Sequence, residues 1–137
     1  MPESALARKL KLKPGARAVI VNAPEGYLKE LGPLPTGVKV EDKLTSQFDW
    51  VQIFVRDKAD LDQLLPRVVA ALKPDSTLWI SFPKGMSKIQ TDFTRDKGWD
   101  ALKKTDLKWV TLVAVNDTWS GFGLRPYKPG EARQKFR

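Results

Sequence analysis

Four cations follow stretches that read as buried strands, either directly or one loop later: Arg56, Lys84, Lys88 and Arg95. Such groups bind phosphate or carboxylate, and arginine's planar fork can engage two oxygens at once. Paired with Asp57, Asp92 or Asp96, the same arginines would instead fasten loops. Asp92 and Asp96 lie four apart and share one face if a helix begins early there, although capping also accounts for Asp96. The run Lys84-Gly85-Met86-Ser87-Lys88 has the composition of a phosphate loop without the GxxxxGKS/T spacing. The chain contains no histidine and no cysteine. This excludes imidazole general bases, His-based triads and metal sites, thiolate zinc, cysteine nucleophiles and disulfides. No constellation for proton transfer emerges, so no catalytic residue and no metal site is expected.

These residues need a scaffold, and the hydrophobic pattern supplies one. Residues 4–12 suit a short helix with Leu6 and Leu10 on one face, ended by Pro14-Gly15. Ala18–Val21 is a continuous apolar strand of the kind covered on both faces. Gly26–Leu31 forms a helical turn, Val38–Glu41 a short strand, and Phe48–Val55 (FDWVQIFV) a central strand. Asp57 caps a helix running to about Leu72, with Leu61, Leu64, Leu65, Val68, Val69 and Leu72 as its apolar stripe. Pro66 predicts a kink or two consecutive helices there. Lys73–Ser76 is a turn, Thr77–Phe82 a buried strand, 83–93 a loop and 95–105 a helix. Lys108–Val115 and Trp119–Arg125 form an antiparallel hairpin across Asn116-Asp117-Thr118. Strands alternating with helices predict an α/β fold: a mainly parallel, truncated Rossmann-like sheet with helices on both faces and a C-terminal antiparallel hairpin.

In open sheets of this kind, ligands bind beyond the carboxyl ends of the strands. That edge gathers Asn22, Glu25 and Gly26 after the first strand, Arg56 after FDWVQIFV, and Lys84 and Lys88 after WISFP. Asp92 and Arg95 fold over from the next loop. Trp119, at the start of the last strand, suits either ligand stacking or the core. Gly121 and Gly123 suit close packing against a helix or a ligand.

Three segments resemble class I S-adenosylmethionine-dependent methyltransferases: KPGARAVIVNAPEG (Lys13–Gly26), FDWVQIFV through LKPDSTLWIS (Phe48–Ser81), and the closing hairpin. The second is similar to that family's fourth strand, helix and turn into the fifth strand. The closing segments SFPKG, DFTRD and DTWS resemble a group of small bacterial proteins with no assigned activity. The family resemblance implies S-adenosylmethionine as cofactor, cradled by a glycine-rich loop preceded by an acid. Here Ile20 stands at the acid's place, and Asn22 and Pro24 replace two glycines, leaving Gly26. Proline also removes an N–H donor. Glu41 is placed either to meet a ribose hydroxyl or to be a solvated strand end. The six residues 42–47 are too few for an ordinary parallel crossover. Glu41's strand therefore runs antiparallel, or the sheet is cut short at that edge.

The 137 residues suit a single domain, expected over 1–127, followed by a basic, flexible tail at 128–137. Net charge is +8, concentrated in Arg8, Lys9, Lys11, Lys13 and Arg17 and again in Arg125, Lys128, Arg133, Lys135 and Arg137. That balance serves solubility or favours anionic partners, nucleic acid among them. No apolar run approaches a membrane span, and the polar start lacks a signal-peptide core, so a cytoplasmic location is expected. The sequence-level reading is a methyltransferase-like module without competent catalytic machinery that binds a small anionic ligand or a protein partner. The alternatives are a methyltransferase with an atypical cofactor loop and a nucleic-acid-binding protein that uses its basic termini.

Overall fold

A computed structural model describes residues 5–84, 107–116 and 118–127 together with Gly130. Its elements are α1 (Ala5–Lys9), β1 (Arg17–Val21), α2 (Tyr27–Leu31), β2 (Lys39–Glu41), β3 (Phe48–Phe54), α3 (Lys58–Ala70), β4 (Leu72–Pro83), β5 (Leu107–Ala114) and β6 (Trp119–Pro126). One six-stranded sheet runs in the order β2-β1-β3-β4-β6-β5. β2, β1, β3 and β4 are parallel, while β6 is antiparallel to both β4 and β5. This is the α/β, truncated Rossmann-like sheet that the hydrophobic pattern predicts. The proposed tail and the 95–105 helix fall outside the described residues, Gly130 apart.

Two hydrophobic clusters sandwich the sheet. On one face Val19, Val51, Ile53, Leu78 and Ile80 meet Leu61, Leu64, Leu65 and Val68 of α3. On the other, Ala18, Ile20, Trp50, Phe54 and Trp79 meet Ala7 of α1, the adjoining Leu10 and Leu12, and Tyr27 and Leu31 of α2. Helix α3 starts at Asp57, whose carboxylate accepts the Asp60 N–H at 2.9 Å. It continues through Pro66 as one helix, not as two consecutive helices. The lost backbone hydrogen bond lies on the exposed side, while the buried leucine stripe holds both halves to the same sheet face. Val69, expected in that stripe, is 39% exposed at its margin.

The short edge strand β2 is parallel to β1, which settles the direction question in favour of a truncated sheet. Register explains how six residues suffice. Glu41 lies level with Val19, and Trp50 lies level with Ala18, so β3 begins only about three residues back from the end of β2. The link must return ~10 Å and cross two strand spacings of ~5 Å each, well within its ~20 Å reach. Leu44 packs against the α3-side cluster, so the link itself covers part of that face where a crossover helix would otherwise lie.

A polar clamp secures this edge. The Arg17 N–H donates to Asp49 Oδ2 at 2.9 Å, its Nε donates to Glu41 Oε2 at 2.9 Å, and its guanidinium lies 4.7 Å from the Phe48 ring centre. Lys73 Nζ donates to Asp49 Oδ1 at 2.9 Å. Ser76, in the segment that bulges out of the β3–β4 ladder, accepts the Lys73 N–H and donates to the Phe48 carbonyl. Asp49's carboxyl is held below its usual 3.8, chiefly by the Arg17 amide and then by the Lys73 ammonium, against a smaller opposing effect of burial.

On the α1 face, the Trp50 and Trp79 indoles both donate to the Leu10 carbonyl, at 2.8 and 2.7 Å. Trp79 lies so close over β6 that a Cβ on Gly123 would meet its ring at 2.9 Å, and one on Gly121 at 3.4 Å. The two glycines are therefore spacers for a tryptophan, neither for a helix nor for a ligand. On β5, a bulge between Trp109 and Thr111 shifts the register to β6 and locally bends this edge strand.

Two outcomes are expected. Gly123→Ala should destabilise the fold by about 1–3 kcal/mol, because the buried ring is held over β6 by its bond to the Leu10 carbonyl and cannot easily retreat. Gly121→Ala should cost less, and urea denaturation of both variants checks the order. Because Asp49 is depressed in the folded state, its stabilisation is complete above pH ~4 and fades as pH falls through the folded value. Unfolding measured from pH 6 to 2 should therefore show a steeper acid loss in wild type than in Asp49→Asn.

Candidate functional site

The loop after β1 turns through two left-handed residues, only one of them a glycine. Asn22 sits at φ 60° and Gly26 at φ 79°, both left-handed. Asparagine tolerates that region better than most residues, so it can stand where the resemblance calls for glycine. The Tyr27 N–H donates to the Pro24 carbonyl at 3.0 Å and closes the turn into α2. A Cβ at Gly26 would meet no atom within 4 Å, so backbone conformation, not space, requires glycine there. Asn22, Glu25 and Gly26 are all exposed.

This loop forms one wall of a cleft of about 790 Å³ at the carboxyl ends of β1 and β2. Ile20, Ala23, Leu28 and Val40 provide apolar lining. Asn22, Glu41, Asp42, Lys43 and Thr45 provide polar groups. Leu28 is 57% exposed, high for so large an apolar side chain. Glu41 is no free strand end, because Arg17 holds one of its oxygens from below. The volume lies in the range of small-molecule sites, with a lining that is about half polar.

Arg56 and Lys84 occupy the neighbouring stretch of the same edge. The Val55 N–H donates to the Ser81 carbonyl at 2.9 Å, so Arg56 and Lys84 follow the carboxyl ends of the neighbouring strands β3 and β4. Arg56 is exposed, and its backbone N–H donates to Asp60 Oδ2 at 3.0 Å. Asp57 and Asp60 thus fasten this turn through the backbone, and the Arg56 guanidinium forms no ion pair with any described residue. Lys84 is half-buried, with its N–H donated to the Thr118 carbonyl at 2.8 Å. Lys88, Asp92, Arg95 and Asp96 lie outside the described residues.

Trp119 belongs to the core. It is 5% exposed and packs edge-on against Phe54, with ring centres 5.0 Å apart, so it is not a ligand-stacking surface. Its hairpin turn is built by Asn116, whose Oδ1 accepts the Thr118 and Trp119 N–H groups and whose Nδ2 donates to Glu30 of α2.

Sequence reasoning missed a buried polar chain beneath the edge. The Tyr27 hydroxyl donates to Gln52 Oε1 at 2.8 Å, and Gln52 Nε2 donates to Ser81 Oγ at 3.0 Å. Gln52 and Ser81 are fully buried, and Tyr27 is 2% exposed. The available signal was one glutamine inside an otherwise apolar strand core. Burial pushes the Tyr27 phenol above its usual 10; the Gln52 hydrogen bond opposes this, and the Glu30 charge adds to it. Tyr27 is a fixed donor, unsuited to act as a base. Among the described residues no three His, Cys, Asp or Glu side chains gather to hold a metal ion. No helix among them is long and apolar enough to cross a membrane.

No family model and no curated protein matches this chain. Solved structures do. A ribosomal protein L11 methylase from Lactobacillus delbrueckii subsp. bulgaricus is 14% identical with a TM-score of 0.58, over 89% of this chain and 75% of that one. DhpI in complex with SAH is 11% identical with a TM-score of 0.61, over 89% and 82%. A SAM-dependent methyltransferase from Aquifex aeolicus is 16% identical with a TM-score of 0.57, over 89% and 88%. At such identities the likeness establishes the fold alone. The chain has the Rossmann-like fold of class I S-adenosylmethionine-dependent methyltransferases.

The polar chain yields its own prediction. Tyr27→Phe leaves Gln52 Oε1 buried without its donor and should cost about 1–3 kcal/mol in urea denaturation. Adding Gln52→Leu together with Ser81→Ala should recover part of that loss, since every side chain of the polar chain is then removed.

Proposed function

We propose that this chain is a binding module on a methyltransferase scaffold, taking a small anionic ligand at the carboxyl edge of its sheet without performing chemistry on it. The observation that carries this reading is the exposed Arg56 side chain, unpaired among the described residues, which follows β3 as Lys84 follows the neighbouring β4, on the same carboxyl edge of the sheet as the open cleft. An arginine left without a carboxylate in a chain that offers two nearby, Asp57 and Asp60, is available to an oxyanion. Lys88 and Arg95 add to this site in the proposal. The absence of histidine, the fixed Tyr27 donor and the apolar Ile20 at the acid's place support binding over catalysis. The module acts in the cytoplasm as a single domain with a basic tail, akin to the small bacterial proteins it resembles in its closing segments.

A second reading is favoured by two features. Asn22 preserves the left-handed turn of a cofactor loop, and Glu41 rims the cleft with one oxygen left over from its Arg17 pair. Together they suit an adenosyl compound, with methyl transfer proceeding mainly by positioning. The L11 methylase and the SAH-bound DhpI are consistent with that ligand class.

Thermal unfolding with S-adenosylmethionine, S-adenosylhomocysteine, nucleotides and inorganic phosphate separates the readings. A ligand at ~100 times its dissociation constant adds about 2.7 kcal/mol, a shift of several degrees for a domain of this size. We expect stabilisation by phosphate-bearing compounds that disappears in both Arg56→Ala and Lys84→Ala. Stabilisation confined to the adenosyl compounds, and retained in those variants, would establish the second reading instead. No shift with any compound would sink both and leave a protein partner as the target.

A further inference from the structure

From Ala5 to Pro24 the chain carries five cations and no acid. Arg17 is consumed internally by Glu41 and Asp49. The other four, Arg8, Lys9, Lys11 and Lys13, occupy six consecutive positions, and every one is exposed. Between and beside them the apolar residues turn inward. Ala7 and Leu10 are fully buried, Leu12 is 3% exposed, and Leu6 packs against the same cluster. The result is a ridge that is cationic outside and anchored by leucines inside, held to the sheet by the two tryptophans bonded to Leu10. Lys9, Lys11 and Lys13 form no ion pair with any described residue.

The backbone makes this arrangement more pointed. The Leu12 N–H donates to the Ala7 carbonyl at 3.0 Å, and the Lys11 N–H donates to the Arg8 carbonyl at 3.1 Å. That pair of bonds is the Schellman ending of a helix, whose left-handed residue is ordinarily glycine. Here it is Lys11, at φ 59°. A lysine side chain thus stands where glycine would be relaxed, and it projects a charge at the point where the chain turns.

We infer that this ridge is a docking surface for the phosphate backbone of nucleic acid, separate from the ligand edge. The chemistry discriminates among polyanions. A membrane-surface helix buries apolar side chains in the lipid, whereas those of α1 are already committed to the core. A protein interface gains most of its energy from buried aromatic or arginine anchors in fitted pockets, and no aromatic residue lies between Ala5 and Pro24. What remains is a row of solvated ammonium groups, suited to counterion release along a regularly charged chain and carrying no means of reading bases.

The test uses the full chain, a fluorescently labelled single-stranded RNA of ~20 nucleotides, and anisotropy titrations at ~50 and ~200 mM salt. Each phosphate neutralised adds about 0.7 to the slope of log affinity against log salt for single strands, so three lysines account for about 2 units and roughly a 20-fold loss between the two salts. The variant is Lys9→Gln, Lys11→Gly, Lys13→Gln. Glycine at position 11 relieves the left-handed backbone, so weaker binding there cannot be ascribed to a broken turn, and thermal unfolding checks that the variant is folded. The expected result is tight binding at low salt, with about 2 units of slope missing in the variant. Unchanged slope and affinity in the variant would overturn the assignment, including the case in which deleting residues 128–137 alone abolishes binding. Equally effective competition by polyglutamate, or equal binding to phosphatidylserine vesicles, would overturn it in favour of an acidic protein or a membrane surface.

Discussion

β3 is buried on both faces from Trp50 to Phe54, so every polar group in that stretch must find its partner inside the protein, and half-exposed Asp49 before it is also paired. An unpaired polar atom there would cost as much as several good contacts contribute. The partners it recruits define the molecule. The Phe48 carbonyl takes Ser76, Asp49 takes Arg17 and Lys73, Trp50 reaches Leu10, and Gln52 is held between Tyr27 and Ser81. These contacts tie β3 to β1, to the adjoining α1 segment, to α2 and to β4. Hydrophobic burial alone would hold the layers together without specifying their register. The polar demands of one strand supply that specification.

The truncated edge follows from the same economy. With only three residues in β2, a full helical crossover is unnecessary, and Leu44 covers part of the face instead. Arg17 stiffens this edge through Glu41 and Asp49, so one residue links three strands. The cleft at the carboxyl ends of β1 and β2, which Glu41 also lines, is ringed by the link's own residues, Asp42, Lys43 and Thr45.

Fold and chemistry separate at this edge. The loop after β1 reproduces a left-handed backbone through Asn22 and Gly26, yet Ile20 contributes apolar surface where the family resemblance expects an acid. The loop's shape is set by backbone torsions and the turn into α2, whereas no torsion depends on the charge at position 20. The fold therefore does not fix the function, which must be argued from Arg56, Lys84 and the cleft instead of from topology.

Much of the fold was legible in short-range pattern. The apolar runs of β1, β3 and β4, the leucine stripe of α3 behind Asp57, and the polar turn between β5 and β6 all carry local periodicity or capping signals. Arg56 and Lys84 were placed at the carboxyl edge because each immediately follows such a run. The sequence leaves Trp119 between core and ligand stacking, because a strand's first residue gives no hint of a ring from another strand, Phe54, lying against it. Nor does it show that α3 stays one helix through Pro66, because the side chains packed against its leucine stripe belong to the sheet. The sequence by itself determined most of the described helices and strands, though it read Lys73–Ser76 as a turn where β4 already runs from Leu72, and it determined that no imidazole or thiol chemistry is possible and where the cations cluster. Only the tertiary structure decided the parallel run of β2, the Tyr27–Gln52–Ser81 chain, the Arg17 clamp and the glycine seats beneath Trp79. Each of these depends on contacts between residues 22 or more positions apart in the chain, which no local pattern encodes.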